Sequence, residues 1–70
     1  MQAYPKITLK AVRVNAGLSQ AEAAKRLNIS RSTLQHYEAG ETVPDWDMVQ
    51  RMVDVYHFPA DHIFFSKSYA

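Results

Sequence analysis

The sequence predicts an all-α fold, a compact bundle of five short helices. Three observations carry that expectation. Apolar residues recur at helical spacing, most cleanly at Met48, Val49, Met52, Val53 and Tyr56. Residues that start helices alternate with residues that end them: Thr8, Gly17, Ser19, Asn28, Ser30, Gly40 and Asp45. No stretch of four or more residues alternates apolar and polar, so strands are not expected. Seventy residues bound the chain to a single domain, 1–70, with a short arm at 1–6 and a tail at 66–70.

Each element follows from its punctuation. Thr8 caps a first helix whose stripe is Leu9 and Val12, and Gly17 supplies a left-handed exit. Ser19 opens a second helix through the capping box Ser19-Gln20-Ala21-Glu22, in which serine and glutamate each satisfy an amide that the helix leaves unpaired. Ala23, Ala24 and Leu27 give this helix a small-residue face that lets a neighbour approach closely. Asn28 tolerates positive φ and can make a sharp corner before the next cap, Ser30. A third helix runs from Arg31 to Glu38 and stops at Gly40. Pro44 and Asp45 open the fourth. A last short helix is expected after Phe58-Pro59, with Asp61 in its first turn and Ile63 and Phe64 as its apolar residues.

Composition excludes several classes. With no cysteine, neither disulfides nor thiolate metal sites are available. No apolar run approaches membrane-spanning length, and the N-terminus lacks a signal-peptide layout, so a cytoplasmic protein is expected. The net charge of +1 hides a division. Residues 1–37 hold six cations against Glu22 alone, whereas residues 38–70 hold two cations against six anions. A basic half of that kind suits contact with a polyanion. His36, His57 and His62 stand on separate elements, without the helical spacing to a carboxylate that zinc hydrolases need. Neither a phosphate-cradling glycine loop nor a thiol nucleophile is present. No catalytic residue, metal, cofactor or small-molecule substrate is expected; the chain reads as a non-enzyme.

Two short helices joined by a tight corner, the second with a polar face, make the helix-turn-helix plan, here spanning about residues 19–38. Asn28 turns the corner, Ala24 fits inside the angle, and Leu27, Ile29, Leu34 and Tyr37 lock the helices together. On the third helix Arg31, Ser32, Gln35 and His36 fall within about 140° of one another, opposite Leu34 and Tyr37. Arginine bridges guanine O6 and N7, glutamine bridges adenine N6 and N7, and serine suits either base. That face carries no acid, unlike an ordinary solvated helix with its Glu–Lys pairs.

The run from Gly17 to Gly40, Gly-Leu-Ser-Gln-Ala-Glu-Ala-Ala-Lys-Arg-Leu-Asn-Ile-Ser-Arg-Ser-Thr-Leu-Gln-His-Tyr-Glu-Ala-Gly, resembles the Cro/repressor helix-turn-helix family, also called the xenobiotic-response-element family. The likeness continues through Pro44-Asp45 and covers about residues 7–65. It implies a lambda-repressor-like fold and a sequence-specific regulator of double-stranded DNA, of the minimal kind that phages and mobile elements carry. Base reading is then expected from Arg31, Ser32 and His36, with Gln35 less central. Phosphate contacts are expected from Gln20, Thr42 and Lys10. Arg13 and Glu38 match a pair that forms a structural salt bridge in the family. Glu41 departs from the pattern, since many relatives carry a cation in that loop, and His57 stands where glycine is common. Trp46 replaces a smaller apolar residue and is expected to pack, with an exposed interaction surface as the alternative.

One recognition helix reads only a few base pairs, so a homodimer on a palindrome, its helices ~34 Å apart, is expected on DNA. Repression by occupying a promoter is the expected output, as 70 residues leave little room for a sensing domain. The alternative is a protein-interaction module, such as an antitoxin subunit or a coactivator, docking through the aromatic C-terminus; of its residues Phe58 and Phe64 are expected in the core, and Phe65 and Tyr69 at a symmetric subunit contact.

Overall fold

Local side-chain chemistry starts and stops every helix in the computed structural model, which describes residues 7–59 and the backbone of 63–64. The order is β1 (Ile7–Thr8), α1 (Leu9–Asn15), α2 (Gln20–Leu27), α3 (Arg31–Ala39), α4 (Trp46–Tyr56) and β2 (Ile63–Phe64). Thr8, Ser19, Ser30 and Asp45 are the four N-caps, all in extended conformation, each accepting a hydrogen bond from the amide three residues on. Ser19 and Glu22 close the full capping box at 3.1 and 2.9 Å. Those bonds from Ser19 hold the Glu22 carboxyl below its ordinary value.

The C-termini follow one pattern. Gly17, Asn28 and Gly40 take positive φ of 79°, 61° and 77°. After each, the next amide reaches back to a carbonyl one turn inside the helix: Leu18 to Arg13, Ile29 to Ala24, Glu41 to His36. α4 ends at His57, also left-handed at φ 57°. A β-branched-free but bulky side chain holds that conformation at a cost that glycine would avoid.

Leu9, Leu27, Leu34, Met52 and Val12 are the largest fully buried side chains. Burying each one stabilises the fold by about 1.5–3 kcal/mol before entropy is counted. Ala23 and Ala24 let α2 lie close to both α3 and α4, and Arg51 on α4 donates to the last carbonyl of α2, Leu27 O, at 3.3 Å.

Two expectations need correction. The described residues contain four helices, because Ile63–Phe64 form a strand in place of the expected last helix. It runs parallel to β1, with Ile7 opposite Ile63 and Thr8 opposite Phe64. A two-residue strand is too short to show alternation, and its partner lies far along the chain, so no local signal marked it. Asp61, the arm 1–6 and the tail 66–70 lie outside the described residues. Trp46, expected to pack, is 68% exposed. As the first residue of α4 it falls about 100° away from the Met48–Val49–Met52–Tyr56 stripe.

Candidate nucleic-acid interface

Leu34, fully buried, pins α3 to the core and so determines which residues face out. Ile29 and Tyr37 pack against the same core from either side of it. The opposite face presents Arg31, Ser32, Gln35 and His36, all exposed. Glu38, the acid of α3, points inward and its side chain is only 5% exposed. The outward face of the helix is therefore polar and free of acid, and its first turn carries no acid either.

Glu38 is the anchor of a network that spans three helices. Arg13 on α1 donates Nε to Glu38 Oε2 at 2.7 Å and Nη2 to Oε1 at 3.3 Å, and its Nη1 reaches Leu18 O at 2.9 Å. This two-pronged contact leaves the arginine side chain 8% exposed. Gln20, the first residue of α2, donates Nε2 to Glu38 Oε1 at 3.1 Å. Its Oε1 accepts from Gln35 Nε2 at 3.2 Å and, at the limit of a hydrogen bond, from Arg31 Nε at 3.5 Å. The structure thus joins Arg13, Glu38, Gln20, Gln35 and Arg31 into one cluster. The sequence held no signal for the Gln20 links, because glutamines so far apart carry no periodicity that pairs them.

The remaining candidates lie apart from that cluster. His36 Nε2 is 3.6 Å from Glu41 Oε1, and both side chains are more than half exposed. The amides of Glu41 and Thr42 donate to His36 O at 3.0 and 3.4 Å, so both turn inward. Thr42 keeps an exposed side chain in this loop. Lys10 is exposed on α1, and no hydrogen bond joins it to the others. Ser30 and Thr33 share a 2.9 Å contact between hydroxyls that closes the start of α3.

Tyr56 lies beneath the network. Burial pushes its hydroxyl up to about 12, the Glu38 charge adding to the effect. Among the described residues no group of three or more histidines and acids is placed to hold a metal ion. No described helix is long and apolar enough to cross a membrane.

A family model described as a helix-turn-helix domain matches residues 7–63, which covers both helices, the corner and the packing shell. The HTH-type transcriptional regulator ImmR of Bacillus subtilis (strain 168) is 36% identical over 55 residues, 79% of this chain and 43% of that protein. A putative HTH-type transcriptional regulatory protein of Pyrococcus horikoshii is 43% identical over 51 residues, 73% of this chain and 16% of that protein. The chain therefore spans less than half the length of these curated relatives. No solved structure gives a significant match. The matched region holds the corner at Asn28 and the four exposed polar residues of α3, and the chain belongs to the helix-turn-helix domain family, as a member of the Cro/repressor type.

Proposed function

We propose that the chain is a DNA-binding module of a transcription regulator, with α3 lying in the major groove of double-stranded DNA. The observation that carries this reading is the exposed, acid-free face of Arg31, Ser32, Gln35 and His36 on a helix pinned by Leu34. Those side chains match the donor and acceptor patterns of base edges. Two relatives named as transcriptional regulators support it. Gln20 has a second Nε2 hydrogen to offer a phosphate at the start of α2, where the helix dipole favours an anion. The Thr42 hydroxyl and Lys10 complete the backbone contacts, which position the domain but carry no sequence information.

The domain binds as a homodimer on a palindromic site, since one α3 covers too few base pairs to define a site. Occupying a promoter makes repression its output. Selection of bound duplexes from a random DNA library tests the reading. Enrichment of a palindrome supports it, and salt-sensitive binding without enrichment overturns sequence reading. A complex whose mass holds one protomer on the preferred site overturns the dimer.

A second reading, a protein-interaction module, draws on Val43 and Trp46, which are 63% and 68% exposed. Retained function after loss of Arg31, together with loss of function after Trp46→Ala, is the result that would favour it.

A further inference from the structure

We propose that Glu38, acting through Gln20, sets the donor–acceptor polarity with which Gln35 faces a base pair, and that the polarity it sets selects adenine. The inference deepens the proposed DNA reading and rests on it. It makes the inward-facing Glu38, which touches no base, a positioning residue for specificity.

The hydrogen bonds fix each amide in turn. An ionised carboxylate only accepts, so the end of Gln20 that meets Glu38 Oε1 at 3.1 Å has to be its NH2. Gln20 Oε1 is then forced to the opposite side, where it meets Gln35 at 3.2 Å. An oxygen requires a donor, so Gln35 in turn faces inward with its own NH2. What remains free on Gln35 is its carbonyl oxygen and one N–H. Arg31 reinforces the same orientation, because Arg31 Nε at 3.5 Å can only donate.

The oxygen and nitrogen ends of a glutamine amide are nearly alike in size, so an exposed glutamine turns over freely. A freely turning amide offers either end to a base and discriminates poorly. Gln35 is exposed, yet the chain of bonds back to Glu38 leaves it one favoured orientation. Adenine presents the N6 amino group as donor and N7 as acceptor in the major groove. The free oxygen and free N–H of Gln35 complement that pair. A well-made bidentate contact discriminates against the wrong base by roughly 5- to 150-fold.

Glu38 owes its own place to Arg13, which holds both carboxylate oxygens from the far side. Glutamine at position 38 would be nearly isosteric, but Arg13 Nε can only donate and holds the oxygen end, so the NH2 end turns toward Gln20 and the polarity is broken at its source. Methionine at position 20 would keep the side-chain length and leave Arg13 and Glu38 paired, but would remove both of the hydrogen bonds that pass polarity outward.

The test is duplex selection followed by competitive binding, with wild type, Glu38→Gln, Gln20→Met, Gln35→Ala and Met52→Ala. Gln35→Ala identifies the base pair that Gln35 reads. At that pair, Glu38→Gln and Gln20→Met are expected to reduce the adenine preference from roughly 5- to 150-fold to within about twofold of parity. Preferences elsewhere in the motif persist, and Gln20→Met also lowers overall affinity. Met52→Ala, a core change remote from α3's outer face, lowers stability and leaves every preference unchanged. If Glu38→Gln does not fold, Gln20→Met decides alone. A motif that Gln20→Met leaves intact at the Gln35 base pair overturns the relay while sequence reading stands, as does a Gln35→Ala variant that alters no position. A wild-type protein that enriches no motif overturns sequence reading, and the relay with it.

Discussion

Arg13 Nε lies 2.7 Å from Glu38 Oε2, which ties the first helix to the last turn of the third inside the protein. The two side chains come from opposite sides of α2 in sequence, and both are largely buried. Removing Arg13 leaves the Glu38 charge largely buried with only the Gln20 amide donating to it. Arg13→Ala is therefore expected to cost roughly 3–5 kcal/mol, most of it the penalty of stranding Glu38. Urea denaturation of the variant measures it. A loss under about 1 kcal/mol would mean that the pair is solvated like a surface bridge.

Arg31 stands at the first position of α3, exposed, with only a long contact to Gln20. Arg31→Ala should leave the fold unchanged and weaken binding to the preferred site by about 1–3 kcal/mol, with discrimination lost at one base pair. Titration of matched and single-substituted duplexes separates these effects. Uniform weakening across all duplexes would place Arg31 on a phosphate.

Glu41 carries its negative charge beside His36 in the loop after α3. If that loop meets the phosphate backbone, Glu41→Lys should raise affinity and steepen the plot of log K against log salt by about one unit. Binding measured across a series of salt concentrations gives the slope. An unchanged slope means that the side chain faces away from DNA.

Tyr56 gives a pH dependence with a definite sign. Burial raises its hydroxyl from 10.0 to about 12, so the fold favours the neutral phenol. A raised folded value contributes stability that is whole below pH 10 and is lost as pH rises through about 12. Ultraviolet titration should show one tyrosine ionising late, coincident with alkaline unfolding. Tyr56→Phe should abolish that late step, and a late step that persists would assign it to another tyrosine.

His57 holds φ 57° at the end of α4, a conformation that costs L-residues about 1–2 kcal/mol. Glycine relieves that strain but adds freedom to the unfolded chain. The balance for His57→Gly is a gain of about 0.5–1 kcal/mol, visible as a rise of several degrees in Tm. A fall in Tm would show that the histidine side chain makes contacts worth more than the strain.

The sequence by itself determined where the helices start and turn. Thr8, Ser19, Ser30 and Asp45 are caps because hydroxyl and carboxylate side chains answer amides three residues away, and Asn28 turns the corner because it tolerates positive φ. The outward set Arg31, Ser32, Gln35 and His36 was legible for the same reason, since one buried leucine and a 100° step fix the rest of the face. These are local interactions, with ranges no longer than a helical turn.

Apart from the Arg13–Glu38 pair, which the family resemblance implied, the tertiary structure decided which distant residues meet. The pairing of Ile7–Thr8 with Ile63–Phe64 replaced an expected helix, because backbone groups found partners that no local pattern announces. The exposure of Trp46, by contrast, follows from its place about 100° from the α4 stripe. The bonds from Glu38 through Gln20 to Gln35 exist only once α2 has packed on α3, when a carboxylate that can only accept dictates the direction of each amide beyond it.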